Sequence, residues 1–292
     1  VYGGAYRLLT RCVSRMGIET TYVDGCNLAA WKEAFRPGKT KLVWIETPTN
    51  PMMKVVDIKA VADLIKSLDS KCIVVVDNTF ITPVFQNPLK LGADIVTHSC
   101  SKFIGGHSDI IMGALMTNNK DLFERLKYLQ NALGIVPSPF DCSQMIRSIK
   151  TLELRVTRQT QSAAKIAAYL EAHSQVERVL YPGLKSHPQY ELTKRQCSGF
   201  GAMLSVYLRV INGDEAVKLM NSVKVFHAAV SLGCVCSLME IPALMTHCVV
   251  PIETRNQLGI TNNLIRLSIG VENEDDLIAD LDQALDVVYS KD

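Results

Sequence analysis

The segment DIVTHSCSKFIGGHSD (94–109) ends an apolar run in Ser99, Cys100 and Ser101, then sets Lys102 ahead of a Gly-Gly turn. A second apolar run, CIVVVDN, ends in Asp77. A third, KLVWIETPTNP (41–51), ends in polar turn residues with Asn50 before a proline. A lysine amine can condense with an aldehyde, and a carboxylate can keep a pyridine nitrogen protonated so that its ring accepts electrons. Small hydroxyls can donate to a phosphate. Gathered at neighbouring strand ends, these groups fit a pyridoxal phosphate site. Plainer readings stand beside that one: a lone Asp at a strand end caps a turn, and a lysine beside serines is a surface charge. Spacing alone does not choose between them.

The elements that must position these residues can be read from periodicity. Helices are expected over 6–17, 28–35 and 58–69, and strands over 18–24, 41–47, 72–80, 92–99 and 109–117. The β-branched run at 72–80 suits a strand covered on both faces. Strands alternating with helices of about a dozen residues indicate βαβ units and a mainly parallel sheet. Ligands collect at the carboxyl ends of strands in such sheets, where Asp77 and Lys102 lie.

Beyond residue 120 the pattern changes. A helix is expected over 121–134, then a single long one from about Ser143 to His173, with no Gly or Pro inside it. Strands over 201–210, 223–230 and 264–272 and helices over 214–223 and 274–290 complete a smaller α+β region. The expected division is a large domain at 1–150 and a C-terminal domain at 151–292.

Composition narrows the function classes. The 292 residues are 48% hydrophobic and 21% charged, with a formal net charge of +2, too balanced for a nucleic-acid footprint. No apolar run reaches the ~20 residues of a membrane span. The nine cysteines are scattered and odd in number, which suits reduced thiols in a cytoplasmic protein better than a disulfide framework. Cys234-Val-Cys236 is the one close pair, and it lacks the histidine partners and spacing of a metal site, so no metal is expected. The opening VYGG, without a methionine, reads as the start of a fragment whose N-terminal portion is missing.

The chain resembles the Cys/Met-metabolism group of fold-type-I pyridoxal phosphate enzymes. The resemblance rests on VYGG (1–4), KLVWIETPTNP (41–51), VVVDNTF (74–80), SCSKF with GHSD (99–109) and LQNALGIVPSPFDC (129–142). It continues in YPGLKSHPQYEL (181–192), KRQCSGFGAM (194–203), PALMTH (242–247) and LIRLSIGVE (264–272), in order along the whole chain. It implies a fold-type-I large domain with a smaller C-terminal α+β domain, and pyridoxal 5'-phosphate as cofactor.

By that resemblance Lys102 is the Schiff-base lysine and Asp77 the partner of the ring nitrogen. Ser99 and Ser101 hold the phosphate, with Ser101 where the family usually has Thr. Asn50 lies near the ring hydroxyl. Tyr2 stacks on the ring and handles protons. Arg266 clamps the substrate carboxylate, and Arg7 belongs to the substrate pocket or to a solvated helix face. His107 orders its loop, and His247 is structural.

The implied activity is a carbon–sulfur lyase of transsulfuration, cleaving cystathionine to cysteine, 2-oxobutanoate and ammonia, with hydrogen sulfide released when cysteine is the substrate. Methionine γ-elimination, β-elimination, γ-replacement and a catalytically impaired pseudoenzyme are the alternatives. The family also implies a homotetramer, a dimer of dimers whose active sites are shared. Its N-terminal region supplies a Tyr-x-Arg pair across the dimer and a Gly-rich phosphate loop. A chain without them is expected to bind the cofactor poorly.

One segment departs from the pattern. AVSLGCVCS (229–237) stands where the family has a motif like AESLGGxES, so Val230 replaces a pocket glutamate and Cys234 and Cys236 replace Gly and Glu. An apolar residue at that place weakens contact with a distal ammonium and favours simpler sulfur amino acids.

Overall fold

The computed structural model describes residues 1–210, 213–248 and 250–289. Two sheets organise the chain. The first has the order β1 (Leu42–Glu46), β2 (Ile73–Asp77), β3 (Ile95–Ser99), β4 (Gly113–Met116). β1–β2 and β2–β3 are parallel, while β4 returns antiparallel to β3, so the parallel core carries one reversed edge. The β-branched interior of β2 is buried on both faces, as a central strand requires.

The second sheet has the order β5 (Val176–Leu180), β6 (Met203–Leu208), β9 (Leu264–Ser268), β8 (Leu238–Glu240), β7 (His227–Ala228). Its pairs are antiparallel apart from β7–β8. The helices are α1 (Gly3–Arg7), α2 (Leu28–Ala34), α3 (Ile58–Leu68), α4 (Thr82–Phe85), α5 (Lys120–Leu133), α6 (Pro139–Ser148), α7 (Leu152–Ala172), α8 (Tyr190–Gln196), α9 (Glu215–Ser222), α10 (Ile252–Gln257) and α11 (Glu274–Tyr289). The last helix is expected to reach Ser290, which lies outside the described residues.

Two hydrophobic clusters hold these layers. One packs α3 (Ile58, Val61, Ile65) on β1 and β2. The larger joins the second sheet, α7 and α11, and it includes Cys100, Phe103 and Ile104 from the loop after β3. The Lys102 loop is therefore packed against the C-terminal half.

Several expected elements differ, for local reasons. Residues 18–24 form no strand; they lie largely exposed. The expected 143–173 helix is α6 and α7 separated by a 3₁₀ turn at Ile149–Thr151. There the Thr151 hydroxyl donates to the Ser148 carbonyl at 3.2 Å and accepts from Arg155 at 3.0 Å, a side-chain competition that breaks helical bonding. The expected 109–117 strand shrinks to β4, because the Ser101 hydroxyl takes the Met112 N–H at 3.0 Å. The expected 223–230 strand shrinks to β7, because the Asp280 carboxylate accepts the N–H groups of Lys224, Val225 and Phe226 at 2.7, 2.8 and 3.0 Å. β5, β8, α8 and α10 carry no strong periodic signal and were not expected.

Candidate active site

Lys102 sits in a tight turn after β3. Its N–H donates to Ser99 O at 3.1 Å, Gly105 N–H to Cys100 O at 2.7 Å, and Gly106 N–H to Lys102 O at 2.7 Å. A Cβ at Gly105 would lie 2.8 Å from Cys100 O, and Gly106 has φ +72 with the Arg155 guanidinium where its Cβ would go. Both glycines are needed for that close approach. Arg155, 7% exposed on α7, donates to Phe103 O at 2.6 Å and Ile104 O at 2.9 Å. His107 Nδ1 meets Gly105 O at 2.7 Å, so it does order this loop.

The Lys102 amine donates to Ser231 Oγ at 3.0 Å, across 129 positions of sequence. Burial, then the charge of Arg266, holds that amine below the usual lysine range, against the opposing pull of Glu240. Arg266, on β9, pairs with Glu240 of β8 at 2.7 Å, and both side chains are at most 2% exposed. The same guanidinium donates to Asn50 Oδ1 at 3.1 Å and to the carbonyls of Val230 and Ser231 at 3.3 and 2.7 Å. Its Nε–H and one oxygen of Glu240 lack partners. Burial pushes Glu240 up, while Arg266 and then the Thr246 hydroxyl pull it down.

The other expected residues divide. Asp77 ends β2, half-buried, accepting the Thr79 N–H at 2.9 Å. Burial pushes its carboxyl up, and no described ion pair includes it. Glu46 ends β1 in register with Asp77; burial pushes it up and the Asp77 charge adds to that. It accepts the Tyr2 N–H at 2.6 Å and the Trp44 indole at 3.2 Å. The Tyr2 ring lies where a Gly4 Cβ would go, so Gly4 leaves room for it. Ser99 ends β3 partly buried, whereas the Ser101 hydroxyl is engaged by Met112. Arg7 lies exposed in the last turn of α1. The Val230 side chain is 56% exposed, and its carbonyl joins the site. His247, 6% exposed, is driven by burial down to about 4 and meets the Thr246 hydroxyl at 2.9 Å.

The donor set fits pyridoxal phosphate. A partly buried amine is held toward its neutral form, a partly buried carboxyl lacks a cation of its own, and hydroxyls flank both at the carboxyl ends of β2 and β3. A protonated ring nitrogen would supply the charge that Asp77 lacks.

The α/β architecture and this donor set are those of a fold-type-I pyridoxal phosphate enzyme. The chain belongs to the Cys/Met metabolism PLP-dependent enzyme family, whose sequence pattern matches residues 1–286. It is 51% identical to a cystathionine gamma-lyase of Dictyostelium discoideum, over 98% of this chain and 73% of that protein. It is 48% identical to a cystathionine gamma-lyase of Rattus norvegicus, over 99% of this chain and 72% of the other. A crystal structure of cystathionine gamma-lyase from Lactobacillus plantarum complexed with L-serine superposes with TM-score 0.94 at 43% identity, covering 99% of this chain and 74% of that one.

Ser231, Glu240, Glu46 and Arg155 escape a local reading of the sequence. The signal for Arg155 was available: it falls beside Leu152 and Val156 on the apolar stripe of α7, where an arginine must find acceptors.

Proposed function

We propose that the protein is a carbon–sulfur lyase of transsulfuration that cleaves cystathionine to cysteine, 2-oxobutanoate and ammonia, and releases hydrogen sulfide from cysteine. The observation that carries this reading is the Lys102 amine, depressed in pKa and hydrogen-bonded to Ser231, beside the Arg266–Glu240 pair. Similarity to cystathionine gamma-lyases over nearly the whole chain supports it. When bound, pyridoxal phosphate supplies an electron sink for charge developing at the substrate Cα.

The chain's own residues do the rest. Lys102 would hold the cofactor aldehyde, and its amine, depressed in pKa, is suited to take the Cα proton. Asp77 would keep the ring nitrogen protonated. Ser99 and Ser101 would hold the phosphate, and Asn50 would serve the ring hydroxyl. Arg266 binds the substrate carboxylate, with its unpartnered Nε–H as the donor in reserve, and Arg7 lines the pocket. Tyr2 would cover the ring and give a proton to the leaving sulfur.

The large domain is residues 1–150 and the smaller one 151–292. The working form is a cytoplasmic homotetramer with shared active sites. Among the described residues no helix is long and apolar enough to cross a membrane. The test is a product assay on cystathionine: 2-oxobutanoate is expected, and pyruvate in its place would mean β-elimination. Lys102→Ala is expected to lose the visible absorption of lysine-bound cofactor and at least about 10³-fold in rate.

One observation favours a second reading, methionine γ-elimination. The exposed, apolar Val230 offers no charge to a distal ammonium.

A further inference from the structure

The segment that bears Ser231 also carries two thiols in contact: Cys234 Sγ and Cys236 Sγ lie 3.4 Å apart. Neither is used by the proposed chemistry. Cys234 is 4% exposed and Cys236 half-buried, so a small reagent meets Cys236 first. A disulfide requires the sulfurs to close to ~2.05 Å, a movement of little more than an ångström from this contact.

The segment has no slack to absorb that movement locally. Ser231 Oγ accepts from Lys102 and Ser231 O from Arg266. The Gly233 N–H donates to Ser268 Oγ at 2.8 Å, and Gln159 Nε2 donates to Cys234 O at 2.8 Å. Between the two cysteines, Val235 N–H donates to Gly106 O at 2.9 Å and Val235 O accepts from Val271 at 2.8 Å. Ser237 N–H is held by Glu272 at 2.6 Å. A Cβ at Gly233 would lie 2.6 Å from Phe103 N, so the segment lies directly on the Lys102 turn. Reshaping Cys234-Val-Cys236 therefore pulls on Gly106, which itself closes the turn by donating to Lys102 O, and on Ser231, which holds the lysine amine.

We propose that Cys234 and Cys236 are a reversible redox modification site whose disulfide alters the grip of Ser231 and Gly106 on Lys102. The oxidant is a low-molecular-weight disulfide, RSSR. Cys236, deprotonated, attacks one sulfur of RSSR; that S–S bond breaks and RS⁻ leaves, collecting the Cys236 proton as RSH. Cys234, deprotonated in turn, attacks the Cys236 sulfur of the mixed disulfide, and the second RS⁻ leaves with the Cys234 proton. Two protein thiols are oxidised and one small disulfide is reduced to two thiols. Burial and the neighbouring thiol push Cys236 up, so oxidation quickens as pH rises.

The protein is treated with oxidised glutathione, alkylated and digested, then examined by mass spectrometry and for its affinity for pyridoxal phosphate. The expected result is an intrachain Cys234–Cys236 link, lighter by two hydrogens. Affinity for pyridoxal phosphate should weaken several-fold and recover with dithiothreitol. Cys234→Ser and Cys236→Ser should each lose both responses while binding the cofactor normally when reduced. A persistent glutathione adduct in place of the link overturns the proposal. So does a link that leaves cofactor affinity unchanged, or the same loss of affinity in the serine variants. Because the link and cofactor affinity are the readouts, failure of the lyase reading would leave this test intact.

Discussion

Val230 and His98 show what a single side chain can decide. Val230 presents an exposed apolar side chain at the position we propose faces a substrate's distal ammonium. Val230→Glu is expected to raise the ratio of cystathionine to methionine turnover, measured as kcat/KM for each, and an unchanged ratio would remove Val230 from the specificity determinants. His98, on β3, is 2% exposed, neither ring nitrogen has a partner, and burial brings its pKa down to about 4. An imidazole in the unfolded chain titrates near ~6.5. Between those values the unfolded chain binds more protons, so stability is unaffected above the upper value and falls as pH drops toward the lower. His98→Phe is expected to remove about 2 kcal/mol of the loss between about pH 7 and about pH 4.5, read from urea unfolding at both.

At the scale of elements, β8 and β9 bring Glu240 opposite Arg266 in register. Removing one partner of a buried pair leaves a stranded charge, and Glu240→Gln is expected to cost about 3 kcal/mol in denaturant unfolding, most of it recovered by adding Arg266→Met. Glu240 also raises the pKa of Lys102, so the same variant should shift the pH dependence of cofactor capture toward lower pH. Elements that carry their own periodicity were legible in the sequence: α3, β1, β2 and β3, and with them the strand-end positions of Asp77 and Lys102. Short elements made by tertiary pairing were not: β8 exists only between β9 and β7, and β7 is what remains of the expected 223–230 strand once Asp280 takes the N–H groups before it. Ser231 was hidden for the same reason, since nothing near it in sequence announces a lysine 129 positions away. Arg266 was legible because an arginine inside an apolar strand demands a partner, but that its partner would be Glu240 was not.

Across the whole molecule, an apolar band stays uncovered along α5, α6 and the turn between them: Leu133, Ile135, Val136, Phe140 and Ile146 are each about two-thirds exposed. Bands of this kind mark contact surfaces, and a second copy of the chain is the occupant that the proposed tetramer requires. Ile135→Glu combined with Phe140→Asp is expected to shift the protein toward monomer in light scattering; unchanged mass would place the assembly surface elsewhere. On α7, Arg155 grips the carbonyls behind Lys102, and one turn on Gln159 grips those of Cys234 and Ile269 at 2.8 and 2.9 Å. One rod thus fixes both the lysine turn and the segment that faces it. For anyone recombining this protein with a relative, that rod sets the rule of exchange: a crossover near residue 150 would part the lysine turn from both Arg155 and the Ser231 segment, so the lysine turn, α7 and the Ser231 segment travel as one inheritable block.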